Sequence, residues 1–510
     1  MYKQANSTCN GHPTYPDPPV TEIVSNPYFR QPETQEWPLY CDHEQLRVTL
    51  HNAARRSAHL GRAVLASFTQ AIEWCDGIRI FTGATLAGLG ESFFWERLSE
   101  QRALVGIGSA STIETHGPTR FTTASAAWRA LLCDAVFGGM SRESSGPLLF
   151  GGFAFDPLSP HTPLWEGFPD GLLVLPHLLL SYSDGRATLT VNKIVQPSAE
   201  IEQDAEEIAT TVMCLRAAVE EVSLQPRRET TRISCIQDLP SASQWMEQVA
   251  NTVKMIQQGV YEKVVLARSV RVTTTTPTET FDVSTILDRL RQSYPGASIF
   301  AIQRGERYFV GATPERLMRA QDGQIQTMAL AGSAPRGATE EEDRRIGREL
   351  LQSEKNNDEH AIVVTMMREA LANLCSRIWT ADAPQLLRLK NIQHLETPIV
   401  GELMPGRCLL EAIDNLHPTP AVGGFPRHAA LEAIRAAERM DRGWYAGPIG
   451  WIDANRNGEF AVALRSALVY GNEATLFAGC GIVADSDPQS EYAESCLKLQ
   501  VMLRALGSED

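Results

Sequence analysis

The chain lacks the features that mark several classes of protein. It has 510 residues and a formal net charge of −15, so it lacks the basic excess with which nucleic-acid binders displace counterions. No apolar run approaches the roughly 18 residues of a membrane-spanning helix. Residues 1–40 are polar and rich in proline, without the apolar stretch of a signal peptide. We therefore expect no nucleic-acid partner, no membrane partner and a flexible leader over residues 1–40.

Cysteine and histidine patterns exclude common metal and redox motifs. Ten cysteines are scattered without a CxxC pair, which argues against a zinc ribbon or a thioredoxin-like site. Eleven histidines form no close ligand pair. The phosphate-loop, dinucleotide-binding, zinc-protease and serine-hydrolase motifs are also missing. In a chain of this length, the cysteines predict reduced, mostly buried thiols in a cytoplasmic protein.

The order of apolar patterns predicts an α+β fold. Strand-like runs follow one another without a regular βαβ rhythm, which favours antiparallel sheets with helices outside them. We assign residues 41–242 to an N-terminal part of this fold and residues 243–510 to a more strongly patterned region. The polar stretch at 224–242 fits a linker or a long surface loop.

Four local patterns are specific enough to test. The run at 52–75 has helical spacing. The run RYFVGATPERLMRA at 307–320 is typical of one strand, and so is EFAVALRSALVYG at 459–471. A final helix begins near Pro488.

Two glutamates and a lysine share one face of this final helix. Glu491, Glu494 and Lys498 are three and four residues apart, which is the spacing of neighbours on a helix surface. Paired carboxylates suit Mg²⁺, which takes a few carboxylates plus waters and substrate oxygens. Glu359, in SEKNNDEH, is a candidate third acid. The alternative interpretation is a solvated Glu–Glu–Lys face.

Three other charged residues stand in unusual positions. Lys263 precedes the apolar run VVLA, so it either has a lowered pKa suited to a general base or reaches solvent at a strand end. Glu315, in GATPERL, is either a positioned acid or a partner for Arg316. Arg465, in FAVALRSALV, must be paired if it is buried, by a bound carboxylate or by a neighbouring acid. The Gly-rich turn AGCGIVADSDP could hold a carboxylate through backbone N–H groups, or be only a turn.

Taken together, these segments resemble the chorismate-utilising enzymes, which include anthranilate, aminodeoxychorismate, isochorismate and salicylate synthases. The resemblance covers about residues 243–510. It rests on nine ordered motifs, which are YEKVVLAR, GATPERL, ALAGSAPRG, NDEH, IQHLETPIVGEL, HPTPAVGGFP, WYAGPIGWID, FAVALRSALV and AGCGIVADSDPQSEYAESCLK. It implies one intertwined α+β domain with two stacked antiparallel sheets surrounded by helices, and dependence on Mg²⁺.

The resemblance also implies roles for individual residues. Lys263 and Glu315 match the general base and general acid of the reaction. Glu359, Glu491 and Glu494 match the metal-binding acids, Glu491 directly or through water. The residues that match substrate-binding positions are Gly332, Ser333, His394, Ala421, Tyr445, Arg465, Gly479, Gly481 and Lys498. Asn356 departs from the acid that some members carry, which we do not expect to alter the chemistry.

Three positions indicate which member the chain resembles. Lys263 stands where amine-transferring members usually carry glutamine, which implies water as nucleophile. Ala331 stands where aminodeoxychorismate synthases carry a nucleophilic lysine, and Ala421 where lyase members tend to carry threonine. The resemblance thus favours a monomeric isochorismate synthase without a glutaminase subunit, with a lean towards menaquinone biosynthesis. Salicylate synthase, isochorismate supply for siderophores and an ammonia-dependent, partner-requiring subunit are the competing interpretations.

Overall fold

Two large sheets form the framework of the molecule. The computed structural model describes residues 37–140, 146–224, 232–276, 278–388, 392–438 and 440–508. The first sheet contains β1 (Val64–Ile72), β2 (Ser92–Arg97), β3 (Arg102–Ile107), β5 (Val136–Gly139), β8 (Leu178–Ser183), β9 (Arg186–Val195), β10 (Ile233–Leu239), β11 (Lys263–Thr274), β12 (Ser298–Arg304), β13 (Arg307–Thr313), β19 (Gly424–Phe425), β22 (Ser466–Tyr470) and β23 (Glu473–Ile482).

The second sheet is smaller, with ten described strands against thirteen in the first. It contains β4 (Ser111–Thr115), β6 (Leu148–Phe153), β7 (Gly171–Leu175), β14 (Arg316–Gln321), β15 (Gln324–Pro335), β16 (Cys375–Thr380), β17 (Gln385–Arg388), β18 (Ile392–Leu403), β20 (Pro448–Asp453) and β21 (Gly458–Val462). Among the described strands, β1 and β5 pair in parallel, and the other pairings are antiparallel.

The helices lie around the sheets. They are α1 (His43–Leu60), α2 (Gly77–Leu86), α3 (Arg120–Cys133), α4 (Ile201–Leu224), α5 (Ala242–Gln257), α6 (Val283–Ser293), α7 (Glu340–Gln352), α8 (Glu354–Ala372), α9 (Leu409–Leu416), α10 (Arg427–Glu438) and α11 (Pro488–Leu506). Within the described ranges, no helix is both long enough and apolar enough to cross a bilayer.

Strand alternation divides the interior into two cores. Phe93 and Trp95 of β2 join the core that contains residues of both sheets, whereas Phe94 between them joins the core beneath α1, α2, α4 and α6. Successive side chains of a strand point to opposite faces, so the first sheet is apolar on both faces. The α+β architecture with two stacked, mainly antiparallel sheets and surrounding helices is confirmed.

Two parts of the sequence interpretation were wrong in detail. The run at 52–75 is helical only to Leu60, because Gly61 ends α1 at φ +65° and Val64 begins β1. An apolar segment buried on both faces carries no period that separates helix from strand. The runs at 307–320 and 459–471 each form two strands, and each pair is divided between the two sheets.

The structure can be compared with the predicted leader and with the predicted linker only where it describes their residues. Of the expected leader, residues 37–40 are described, and Trp37 is buried with its indole nitrogen donating to the Glu73 carbonyl at 3.0 Å. The rest lies outside the described residues. In the stretch at 224–242, Ile233–Leu239 form the edge strand β10. The nine described cysteines are free, but Cys133, Cys214 and Cys235 are exposed, so the expectation of mostly buried thiols was too broad.

Candidate active site

Lys263 begins β11 at a point where a glycine makes room for it. Lys263 pairs with Phe425 of β19, and its neighbour Val264 pairs with Ile482 of β23. A Cβ atom on Gly481 would stand 3.0 Å from Cε of Lys263 and 3.7 Å from its Nζ. The glycine therefore lets the lysine side chain lie across the end of β23.

The side-chain amine of Lys263 has no hydrogen-bond or ion-pair partner among the described residues. Burial lowers the pKa of Lys263, and the positive charge of Lys498 lowers it further. The charges of Glu359 and Glu315 act in the opposite direction. This surrounding favours the neutral amine that a general base requires.

Glu315 lies where the chain passes from the first sheet to the second. β13 ends at Thr313 and β14 begins at Arg316, because Pro314 has no N–H to continue the ladder. The Glu315 carbonyl accepts a hydrogen bond from the Val462 N–H at 3.0 Å, which fixes the turn. Burial raises the pKa of Glu315 from 4.5 to about 7, although the charges of Lys263 and Lys498 oppose the shift. The carboxyl group is thus held near its proton-donating form at neutral pH.

Arg465 lies at the return crossing, between β21 and β22. It is not within a strand, as its apolar surroundings in the sequence predicted, but has a left-handed backbone with φ +49°. Burial lowers the pKa of Arg465, while Tyr445 raises it. Within the described ranges no carboxylate forms a salt bridge with its guanidinium group. The buried charge is therefore open to a carboxylate ligand, the first of the two partners that the sequence allowed.

Tyr445 is held beside Arg465 by aromatic packing. Its ring stacks on Phe477 with centroids 5.2 Å apart, and only 4% of the residue is exposed. Burial raises the pKa of Tyr445 well above its ordinary value, so the hydroxyl keeps its proton. A neutral phenol next to a guanidinium group can donate a second hydrogen bond to a bound carboxylate.

The predicted face of α11 is present, and Cys480 of β23, which the sequence did not single out, lies close to it. Nζ of Lys498 lies 2.6 Å from Oε1 of Glu494 and donates to the Gly479 carbonyl at 2.9 Å. Ser486 donates to Glu491 at 2.7 Å. Sγ of Cys480 and carboxylate oxygens of Glu491 and Glu494 lie within 4.8 Å of one another. The sequence signal for Cys480 was its place between two glycines of interest.

Gly479 and Gly481 lie in a strand and not in the expected turn. β23 continues to Ile482, and these glycines pair with Ala267 and Val265 of β11. A backbone in a sheet is committed largely to the ladder. We therefore attribute the glycines to the close approach of Lys263 and to the carbonyl that Lys498 contacts.

Glu359 lies on the exposed side of α8, next to a buried histidine. His360 shares hydrogen bonds with the Ala331 carbonyl at 3.2 Å and with Thr397 Oγ1 at 2.7 Å, which secure this turn of α8 to β15 and β18. Glu359 acts electrostatically on Lys263, so it faces the same site. Among the described residues, it stands apart from the close group formed by Cys480, Glu491 and Glu494.

A bulge in β15 presents Ser333 to His394. Gly332 has φ +74° at the register shift between Ala331 and Ser333. Ser333 Oγ and His394 Nδ1 share a hydrogen bond of 2.7 Å. Burial and the charges of Lys263 and Lys498 lower the pKa of His394, which favours a neutral imidazole.

Ala421 lies near Glu315 at one side of the candidate site. It lies in the loop between α9 and β19 and lines a recess together with Glu315, Thr419 and Pro420. A much larger cavity, about 1080 Å³, lies elsewhere, near Arg102 and Trp451, and none of the predicted site residues lines it. Space alone does not identify the site, and the opposite pKa shifts of Lys263 and Glu315 make their surroundings the candidate active site.

The side chains from these elements could hold a hard divalent cation. Glu491 and Glu494 offer carboxylate oxygens, and burial with the nearby charge of Glu494 raises the pKa of Glu491. A cation between two carboxylates would relieve this repulsion. Burial raises the pKa of the Cys480 thiol to about 12, so it stays protonated and is a poor ligand for such an ion. The donor set therefore fits an oxygen-seeking cation.

Comparison with known proteins defines the class. The sequence profile described as chorismate binding enzyme matches residues 49–507. The chain therefore belongs to the chorismate-binding enzyme family.

Several of its relatives are named isochorismate synthases. The chain is 38% identical to isochorismate synthase MenF of Bacillus subtilis, over 91% of this chain and 98% of the relative. It is 37% identical to the salicylate biosynthesis isochorismate synthase of Pseudomonas aeruginosa, over 91% and 94%. The structure of the menaquinone-specific isochorismate synthase MenF from Escherichia coli superposes with a TM-score of 0.72 at 26% identity, covering 91% of this chain and all 100% of that one.

Proposed function

We propose that the chain is an isochorismate synthase, which adds water at C2 of chorismate and releases the C4 hydroxyl group. The opposite shifts of two pKa values in one site carry this proposal. Burial lowers the pKa of Lys263 and raises that of Glu315 to about 7. An allylic displacement by water needs one group that accepts a proton and one that donates a proton. Its relatives' names and their coverage of nearly the whole chain support the same reaction.

Lys263 and Glu315 divide the proton transfers. The neutral amine of Lys263 accepts a proton from water as the water oxygen bonds to C2. Both ring double bonds shift, the C4–O bond breaks, and the Glu315 carboxyl gives its proton to the departing oxygen. One water enters and one leaves, so substrate and product are isomers. Proton exchange with solvent restores the starting protonation state of both residues. The reaction is reversible because substrate and product are isomers with the same kinds of bonds and nearly equal energies.

Cationic side chains hold the two carboxylates of chorismate. Arg465, which has no acid partner in the described chain, is positioned for one carboxylate, and Tyr445 adds a hydrogen bond. Lys498, Gly332, Ser333, Gly479, Gly481 and neutral His394 are proposed to line the substrate. Mg²⁺ bound by Glu359, Glu491 and Glu494 would supply positive charge to the other carboxylate and draw electron density from the ring.

Incubation with chorismate and Mg²⁺ tests the reaction directly. Products are separated by chromatography, and pyruvate is assayed in the same tube. Isochorismate without pyruvate supports the proposal and the assignment of Ala421 to a non-eliminating enzyme. Salicylate with stoichiometric pyruvate would identify a salicylate synthase, and no turnover without a glutaminase and ammonia would identify a partner-dependent subunit.

Removal of the cation tests the cofactor. We expect chelation with EDTA to abolish turnover and added Mg²⁺ to restore it, because Glu491 and Glu494 then repel both each other and the substrate. Full turnover after chelation would exclude the metal role of these acids.

The setting of the enzyme is part of the proposal. We place it in menaquinone biosynthesis, in the cytoplasm, as a monomer without a glutaminase subunit. The similarity to two MenF proteins supports the pathway, and the salicylate-biosynthesis relative of Pseudomonas aeruginosa, which also matches 91% of this chain, makes salicylate supply the alternative. The nine free cysteines support a reducing compartment. Light scattering coupled to size exclusion tests the oligomeric state, and loss of menaquinone in a deletion strain tests the pathway.

A further inference from the structure

A second cation in β11 is buried much more completely than Lys263. Arg268 is 1% exposed, and its side chain points to the opposite face of the strand, since the two residues are five apart. A buried guanidinium group is costly unless all its donors are satisfied. Its environment therefore requires an explanation.

One turn of α11 supplies most of the partners of Arg268. Nε donates to Ser495 Oγ at 2.8 Å, and Nη2 donates to Cys496 Sγ at 3.1 Å. The guanidinium carbon lies 4.6 Å from the centre of the Tyr492 ring. Arg268 thus contacts three residues of the helix from one side.

The edge strand β10 supplies the countercharge. Nη1 of Arg268 donates to Asp238 Oδ1 at 2.6 Å, and the Tyr492 hydroxyl donates to Asp238 Oδ2 at 2.6 Å. The carboxylate therefore bridges β11 and α11. The segment that the sequence left open between linker and surface loop provides this bridge.

The contacted turn is the one that carries the carboxylates of the site. At about 100° per residue, Tyr492, Ser495 and Cys496 lie on a face roughly a third of a turn from that of Glu491, Glu494 and Lys498. Whatever holds the first face sets the rotation of the helix about its axis. That rotation in turn sets where the carboxylates of Glu491 and Glu494 point.

We propose that Arg268 is a positioning residue for the cation site. Through Ser495, Cys496 and Tyr492 it fixes the rotation of α11, with Asp238 as its counter-ion, and thereby aims Glu491 and Glu494 at one cation. The inference rests on the proposed function in taking these two glutamates as cation ligands. A purely structural ion pair would affect folding stability but not cation affinity.

Arg291 provides a matched control. It is also buried, at 8% exposed, and it pairs with Asp76 at 2.9 Å and with Glu96 at 2.8 Å. These partners belong to α2's N-cap and to β2, away from the turn of α11 that carries the glutamates. Replacing either arginine by lysine keeps the charge and removes the planar fork.

The test is a titration of the full-length protein with Mn²⁺. The electron paramagnetic resonance signal of free Mn²⁺ measures how much of the ion is bound. Mn²⁺ prefers the same carboxylate oxygens as Mg²⁺. We expect Arg268→Lys to weaken binding about tenfold, as changes to outer-shell partners of metal ligands do. Arg291→Lys should stay within about twofold of the parent, although both variants lose thermal stability.

Two milder variants keep the inference testable if Arg268→Lys does not fold. Ser495→Ala removes one acceptor from Nε, and Tyr492→Phe removes only the hydroxyl group that contacts Asp238. Each should weaken Mn²⁺ binding by a smaller factor while circular dichroism is unchanged. Binding equal to the parent in every folded variant, or equal weakening by Arg291→Lys, would overturn the inference.

Turnover measured in the same samples separates this inference from the proposed function. Isochorismate formation by the parent with cation binding insensitive to Arg268 would refute the positioning role alone. Cation binding that depends on Arg268 in a protein without turnover on chorismate would support the positioning role and refute the function.

Discussion

Strand β11 carries two cations with opposite surroundings, of which Lys263 is partly buried and Arg268 fully buried. Lys263, at its first residue, has no hydrogen-bond or ion-pair partner among the described residues, and burial lowers its pKa. Arg268, in the middle of the strand, has its donors on Asp238, Ser495 and Cys496. The fold satisfies the charge that supports the framework and leaves unsatisfied the one that is proposed to perform chemistry.

A second satisfied ion pair also contacts β11 and extends the comparison. Arg442 and Glu438 are buried together, and the Arg442 Nε donates to Glu438 at 2.7 Å. Glu438 accepts the Ala267 N–H at 2.7 Å, and Arg442 donates to the Val265 carbonyl at 2.7 Å. Two sets of charged groups therefore hold the strand, which fixes the base of Lys263 before substrate arrives.

The largest effect is expected at the unpaired cation. Lys263→Ala should lower kcat about 10²- to 10⁴-fold, the usual contribution of a general base, because Lys498, the other amine of the site, is paired with Glu494. Steady-state assays with chorismate measure the loss. The exposed Lys254 of α5 supplies a control, since Lys254→Ala should leave kcat unchanged. A near-normal rate for Lys263→Ala with retained fold would refute its role as base.

The next effect concerns the satisfied pair. Arg442→Met should lower the free energy of unfolding by about 3–5 kcal/mol, because it leaves the Glu438 carboxylate buried without its partner. Urea titration followed by circular dichroism gives this difference. A loss below about 1 kcal/mol would mean that the pair contributes no more than an exposed one.

We expect Glu315, the proposed general acid, to lower the stability of the folded protein at high pH. The pKa of Glu315 is 4.5 without burial and about 7 in the fold, so the folded protein binds the proton more tightly. The stability that comes from this tighter proton binding is fully present below pH 4.5 and is lost as pH rises through 7. Above pH 7 the ionised carboxylate therefore destabilises the fold. At pH 8, Glu315→Gln should thus raise stability by up to about 3 kcal/mol while turnover is lost. The gain should vanish near pH 4.

Thermal melts of Glu315→Gln and of the parent between pH 4 and 8 measure this difference. The same titration predicts that kcat of the parent falls as pH rises above about 7, where Glu315 loses its proton. A constant stability difference across this range would contradict the raised pKa of Glu315.

The smallest effect is expected at an exposed pair. Arg345 and Glu349 of α7 are four residues apart, and the two side chains are 55% and 60% exposed. Arg345→Ala should change the free energy of unfolding by no more than about 0.5 kcal/mol, since water screens such pairs. A urea midpoint shift as large as that of Arg442→Met would break the distinction between buried and exposed charges.

Local patterns predicted much of the fold and part of the site. Helix α11 and the shared face of Glu491, Glu494 and Lys498 follow from a period of 3.6 residues, which needs no information from distant parts of the chain. The ordered motifs predicted the family, and the match over residues 49–507 confirmed it.

Errors arose where the chain changes sheet or loses its period. Nothing in the run 307–320 distinguished one strand from two strands in different sheets, because both halves are apolar and extended. The same holds for Arg465, which lies at a crossing with φ +49° and not in a strand. Cys480 was missed because a single cysteine between glycines carries no periodic signal.

The sequence alone defined which chemical groups the protein has and which neighbours share a helix face or strand. It thereby predicted the acids, the lysine and the class of fold. Only the tertiary structure decided which of these groups have partners. Lys263 stands alone while Arg268 meets Asp238, thirty residues away along the chain. The pairing of a charge depends on burial and on contacts between distant segments, and these arise only when the two sheets and α11 come together.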